Sequence, residues 1–269
     1  MMGMSQTPEP DPLSNQWLDH CRAEGIPANT VAARARVLRS IGNAGAATRD
    51  DVEAWWATRR HLSPATRSND LACLRTFYTW CRRWEHRDDD PTLRLDPPKV
   101  PRGLPRPMSR ADLTRLLPTL PDDLRRAVCL GAYGGLRVSE AAALTWHDVD
   151  LETRRIRVLG KGGKTRLVGM SPLLLDELLP DTGGNVVTAG GSTYSAGTLQ
   201  RRVNRAIRAA GVDCTYHQLR HRFGTVALAA TGNLLAVSRA MGHASPATTA
   251  IYAATSDSDL DVIADAVTR

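Results

Sequence analysis

The chain has 269 residues, with 35 Lys and Arg against 28 Asp and Glu and a formal net charge of +7. Such a length can bury two ordinary cores, and the charge suits a polyanionic partner without demonstrating one. The excess is shared between residues 1–107 (16 basic, 13 acidic) and 108–269 (19 basic, 15 acidic), which excludes a basic tail. No apolar run approaches the ~20 residues of a membrane span, and Met1-Met2-Gly3-Met4-Ser5-Gln6 lacks the basic-then-apolar order of a secretory signal. The scattered Cys21, Cys73, Cys81, Cys129 and Cys214 contain no CxxC pair, which speaks against a disulfide framework or zinc site and fits a soluble protein of a reducing cytoplasm.

Leu13, Trp17, Leu18 and Cys21 fall at helical spacing, ending at Gly25. A second helix is expected from about Asn29, with Val31, Ala35, Leu38 and Ile41 on one face. Thr48 with Asp51 has the form of a capping box for a third, carrying Val52, Trp55 and Trp56. Ser63 and Pro64 open a longer fourth, with Leu71, Leu74, Phe77, Tyr78 and Cys81 inward and Arg75, Arg82 and Arg83 partly outward. These segments predict a helical bundle over residues 1–90. From Asp88 the composition shifts to Pro91, Pro97, Pro98, Pro101, Pro105 and Pro107, which reads as a linker over 91–108.

A second domain is expected over 109–269. Ser109 with Asp112 caps a helix, Pro121 starts another, and a third begins near Arg137 with Ala141, Ala142 and Leu144 in its body. Arg155 to Leu159 and Thr165 to Gly169 then read as strands around Gly160-Lys161-Gly162-Gly163-Lys164, which is hairpin chemistry. Helices return near Pro172, Gly197, His217, Asn233 and Pro246. No internal repeat is visible.

Four pieces of this second half carry chemistry: Gly135-Leu136-Arg137-Val138-Ser139-Glu140, the hairpin from Gly160 to Lys164, His217-Gln218-Leu219-Arg220-His221, and Met241-Gly242-His243 followed by Tyr252. Each alone is weak. In this order and spacing they closely resemble the tyrosine recombinase family of phage integrases and Xer proteins, and the bundle and linker before them resemble its core-binding domain. The resemblance implies a mainly α fold with a small β-hairpin or sheet: a SAM-like helical DNA-binding bundle followed by an α+β catalytic domain. It also implies site-specific cutting and rejoining of DNA through a 3′-phosphotyrosyl intermediate, with Arg137, Lys161, His217, Arg220, His243 and Tyr252 as the catalytic set.

The residue types suit those roles. Breaking a phosphodiester needs a nucleophile, positive charge on the non-bridging oxygens and an acid for the leaving oxygen. Tyr252 is the candidate nucleophile, although an ordinary tyrosine pKa near 10 means that neighbours must help it ionise. Arg137 and Arg220 offer planar, permanently charged forks for phosphate oxygens. Arg137 follows Gly134-Gly135 at a helix start, where amides also favour an anion, and Arg220 lies one helical turn after His217. Glu140 can hold Arg137 or be an ordinary surface i,i+3 partner, and both readings stay open here. Only Lys99, Lys161 and Lys164 are lysines in an arginine-rich chain, so a lysine kept in the hairpin fits proton transfer, while a plain phosphate contact remains open for Lys164. By resemblance Lys161 is the acid, His217 the acid/base partner and His243 a phosphate donor; His221 is expected to be structural.

Met241 stands where the family usually has Leu before Gly-His and can fill the same apolar slot. The segment after Tyr252 is acidic and amphipathic, and docking onto a neighbouring protomer or onto its own domain are both open readings. The bundle begins so near Met1 that the form without an arm-binding domain is expected. The implied partners are double-stranded DNA with short core sites of inverted elements and further copies of the chain in a DNA-bound tetramer, with room for a directionality factor. No membrane, metal or cofactor is expected. Integration or excision of a phage or mobile element is the expected role; chromosome or plasmid resolution and a non-catalytic DNA-binding protein of the same fold are the rivals.

Overall fold

The computed structural model describes residues 10–100, 106–160, 163–178 and 183–243. The chain divides into two compact units, Met1–Arg102 and Gly103–Arg269.

The first unit contains four α-helices among its described residues: α1 (Pro12–Ala23), α2 (Ala28–Ile41), α3 (Arg49–Thr58) and α4 (Pro64–Arg83). Their ends follow from side chains that satisfy otherwise unpaired first-turn amides. Asp11 accepts from Leu13 and Ser14, Ser63 accepts from Thr66, and Thr48 with Asp51 forms the reciprocal capping box. Inside, Trp17, Leu18, Cys21, Leu38, Val52, Leu71, Leu74, Phe77 and Tyr78 make one core, with the Trp17 and Phe77 rings edge to face at 5.4 Å. Two of its buried polar groups are paired, Tyr78 donating to the Ala44 carbonyl (3.0 Å) and Trp55 to the Ser40 hydroxyl (3.0 Å), while the buried indole N–H of Trp80 has no hydrogen-bond partner. Thr92 and Leu95, within the stretch read as linker, are buried with this unit, and Arg75 donates to the Leu95 carbonyl.

The second unit is built around α6 (Asp122–Gly134), whose Leu124, Ala127, Val128 and Leu130 are buried. Around it lie α5 (Arg110–Leu116), α7 (Val138–Ala143), α8 (Pro172–Glu177), α9 (Ala196–Ala209), α10 (Tyr216–Thr231) and α11 (Leu234–Met241). Gly131 lets α10 approach closely, since a Cβ there would lie 3.1 Å from the Tyr216 ring. Arg125 on α6 ties down α8 through Glu177 at 2.9 Å. Strands β1 (Val149–Asp150), β2 (Arg155–Leu159) and β3 (Thr165–Gly169) form an antiparallel sheet in that order, and β4 (Thr188–Ala189) pairs with β5 (Ser192–Thr193). The register sets Ile156 opposite Val168 and Val158 opposite Arg166. Strand residues two apart share a face, so Arg166 stands on the same side as Val168, the side on which Ile156, Val158 and Val168 are buried. This is the mainly α fold with a small sheet that the sequence implies. Among the described residues, no helix is long and apolar enough to cross a membrane.

Candidate functional site

Four of the six residues singled out in the sequence meet in the second unit: Arg137 before α7, His217 and Arg220 on α10, and His243 after α11. Lys161 and Tyr252 lie outside the described residues, as do the helix expected near Pro246 and the acidic tail. The base of the hairpin is described, closed by the Gly160 amide donating to the Lys164 carbonyl at 2.8 Å.

Three local features bring the four together. Helix α6 ends at Gly135 in the left-handed region (φ +64°), where a Cβ would come within 2.5 Å of the Phe223 ring, so glycine alone fits without displacing α10. That turn places Arg137 at the N-cap of α7. Helix α10 is started by a capping box in which the Thr215 amide donates to Gln218 at 2.7 Å, setting His217 and Arg220 one turn apart. Helix α11 is capped by Asn233, accepting from Ala236 at 2.9 Å, and ends at Gly242 (φ +63°), so His243 leaves the helix at a fixed turn. Met241 is fully buried beside Val237, which is the apolar slot expected for it.

The charged centre is Glu140, 7% exposed. Its carboxylate accepts from the Arg137 amide (2.8 Å) and guanidinium (2.7 Å), takes a bidentate pair from Arg166 (2.9 and 2.8 Å), and lies 3.9 Å from the Arg220 guanidinium. Burial pushes the Glu140 carboxyl up, but the hydrogen bonds from Arg166 and Arg137 outweigh it and hold the group below the usual range. The surface-pair reading of Glu140 is therefore replaced by that of a buried hub. Three guanidiniums share one carboxylate, and the surplus is positive.

The same arginines bind the end of α11. Helices leave their last carbonyls unpaired, at the negative end of the helix dipole. Here Arg166 donates to the Ala240 carbonyl (2.8 Å), Arg220 to that of Met241, and Arg137 to that of Gly242 (2.9 Å). Arg220 also donates to the Gly135 carbonyl and is almost wholly buried, whereas the Arg137 side chain keeps 38% of its surface open. His217 and His221 stack edge to face at 4.3 Å. Desolvation and then the arginine charges hold the imidazole of His243 down to about 4; His221 is brought to about 4 by desolvation, His217 and Arg220, and His217 is lowered by desolvation, Arg220 and Arg137.

Arg166 is the member that sequence reading missed. Its signal was present in the alternation of Thr165-Arg166-Leu167-Val168-Gly169: a strand with Val168 inward must also turn Arg166 inward. An inward arginine requires a buried partner, and Glu140 is that partner.

The cluster sets three guanidiniums and nearby imidazoles against a single carboxylate, a charge balance that suits a phosphate-sized anion. A helical unit followed by an α+β unit with that cluster suits a protein that handles a phosphodiester backbone. The comparisons agree. The family model described as the phage integrase family matches residues 108–259. The chain is similar to a tyrosine recombinase XerC of Xanthomonas campestris pv. campestris (strain B100), 33% identical over 263 residues and covering 88% of this chain and 82% of the relative. It is also similar to a tyrosine recombinase XerD of Vibrio cholerae, 30% identical and covering 93% and 94% of the two chains. Among solved structures, the lambda integrase dimer bound to a COC′ core site is similar in fold (TM-score 0.75, 17% identical, 89% of this chain and 75% of that one). The Tn1549 transposon integrase with a circular-intermediate DNA is likewise similar (TM-score 0.74, 18% identical, 95% and 99%). The chain belongs to the phage integrase family and is a site-specific recombinase of the tyrosine class.

Proposed function

We propose that this recombinase cuts and rejoins double-stranded DNA through Tyr252, with the scissile phosphate held by Arg137, Arg220 and His243. The Tyr252 hydroxyl oxygen attacks phosphorus, a P–O bond to tyrosine forms, and the bond to the 5′ oxygen breaks. The phenol proton passes to a base, with His217 as its acid/base partner, and Lys161 gives a proton to the leaving oxygen. The product is a 3′-phosphotyrosyl link and a free 5′ hydroxyl. One phosphoester replaces another, so a 5′ hydroxyl from a second duplex can reverse the step with no energy source. The observation that carries this reading is the surplus of fixed positive charge around Glu140, because it suits a phosphate whose charge grows in the transition state. At neutral pH the His243 imidazole is uncharged and keeps one N–H to donate.

In this reading residues 1–90 are a DNA-gripping domain and 109–269 the catalytic one, acting in the cytoplasm. Four copies assemble on two short inverted-element sites to exchange strands pairwise. Integration or excision of a mobile element is the role proposed. Resolution of chromosomes or plasmids is a second reading, favoured by the near full-length similarity to XerC and XerD relatives.

The test uses a duplex selected from a randomised DNA pool by binding, then nicked just beyond the cleaved position so that the short fragment diffuses away. The wild type is expected to accumulate a covalent adduct and Tyr252→Phe none. Binding without any adduct from the wild type would favour a protein that only occupies its sites.

A further inference from the structure

We propose that Arg166 is a positioning residue for the phosphate clamp, acting through Glu140 and the last turn of α11; the inference rests on the recombinase reading above. Arg166 does not have the form of a clamp itself. Its Nε, Nη1 and Nη2 are all engaged, with the Ala240 carbonyl and the two Glu140 oxygens. What it does is join three elements. It arises from β3, which fixes its backbone opposite Val158, and it reaches both the carboxylate that orients Arg137 and the helix end whose next two carbonyls take Arg220 and Arg137.

Two glycines border it, Gly242 more closely than Gly160. A Cβ at Gly242 would lie 3.0 Å from the Arg166 side chain, and one at Gly160 would lie 3.8 Å from its Nη1 and 4.0 Å from a Glu140 oxygen. The α11 turn thus closes tightly on the guanidinium, and the hairpin base lies in ordinary contact distance of it. Without it, Glu140 keeps its bonds to Arg137 but loses the bidentate pair that aims its carboxylate, and the Ala240 carbonyl is released. Arg137, Arg220 and His243 would then share a less defined position. A displacement of about 1 Å in a reacting geometry can cost on the order of a hundredfold in rate while leaving binding to the rest of the DNA intact.

The experiment uses the full chain with Arg166→Gln and Arg166→Lys, and the nicked duplex described above with either a phosphate or a neutral methylphosphonate at the cleaved position. DNA affinity, thermal unfolding and single-turnover adduct formation are measured. On the phosphate, Arg166→Gln is expected to lose about a hundredfold in rate with an affinity within about threefold, and Arg166→Lys to recover part of the loss because it keeps a charge toward Glu140. On the methylphosphonate, which asks less of a positive clamp, Arg166→Gln should approach the wild type measured on the same duplex. Equal loss on both substrates, unaltered rates in both variants, or loss of folding or DNA affinity in both would overturn the proposal. A wild type that forms no adduct on the phosphate contradicts the recombinase reading instead, so the two failures are distinguishable.

Discussion

The two units differ in how they hold several of their arginines, although Arg202 also lies over Tyr194 in the second and Arg59 also pairs with Asp70 in the first. In the first, guanidiniums lie over aromatic rings, one cation to a ring: Arg34 on Trp17 (4.9 Å), Arg59 on Trp55 (4.9 Å), Arg67 on Trp56 (4.4 Å) and Arg87 on Tyr78 (5.4 Å). In the second, Arg137, Arg166 and Arg220 converge on one carboxylate and one helix end. A ring face orients a cation locally, so such contacts are separable. A shared carboxylate makes three cations depend on one another and concentrates fragility in a single residue.

The largest effect should come from removing that residue. Glu140→Ala leaves Arg166 and Arg220 buried beside no carboxylate, and by analogy with broken buried ion pairs it should cost about 3–5 kcal/mol, read as a lower denaturant midpoint for the second unit. If the cost is under about 1 kcal/mol, the carbonyls of α11 alone hold the cluster and the contrast between the units fails. Gly135→Ala tests the same centre through the backbone. It imposes a left-handed alanine and drives a methyl into Phe223, so about 2–4 kcal/mol should be lost, again in the second unit.

Acid should weaken the second unit as well. His221 and His243 titrate at about 4 when folded, against about 6.5 when unfolded, so between those values the unfolded chain binds more protons. Their contribution is complete above pH 6.5 and is lost as pH falls toward 4. Thermal unfolding should move down across that window, and His221→Gln should flatten the slope; an unchanged slope would remove His221 from the account. The smallest effect belongs to the first unit, where Arg67→Leu should cost only about 0.5–1 kcal/mol, because one stack on Trp56 is lost and the buried Nε of Arg67 has no hydrogen bond to lose. A cost comparable to that of Glu140→Ala would show that the stacked arginines are coupled after all.

These contrasts also explain what the sequence made legible. Helices announced by caps and periodic apolar residues, such as the Thr48 and Asp51 box and the Leu71 to Cys81 face, could be read because their determinants lie within one turn of each other. The strands of the hairpin were legible from the change of period. Arg137, His217, Arg220 and His243, which the structure brings together, belong to a spaced motif that is readable in one dimension. The hub could not be weighed in that way: Glu140 is bonded to Arg166 across 26 positions and Arg137 to Gly242 across 105, and local pattern has no term for such pairings. Nor could the ladder of Ala240, Met241 and Gly242 carbonyls be foreseen, since backbone acceptors leave no residue-type signature.

The central claim is that the cluster around Glu140 presents a phosphate to Tyr252. The most direct measurement is proteolytic digestion and mass spectrometry of the adduct trapped on the nicked duplex. A single modified peptide is expected, with nucleotide joined through its 3′ phosphate to the Tyr252 oxygen. Modification of any other residue, or a linkage through a 5′ phosphate, would contradict it.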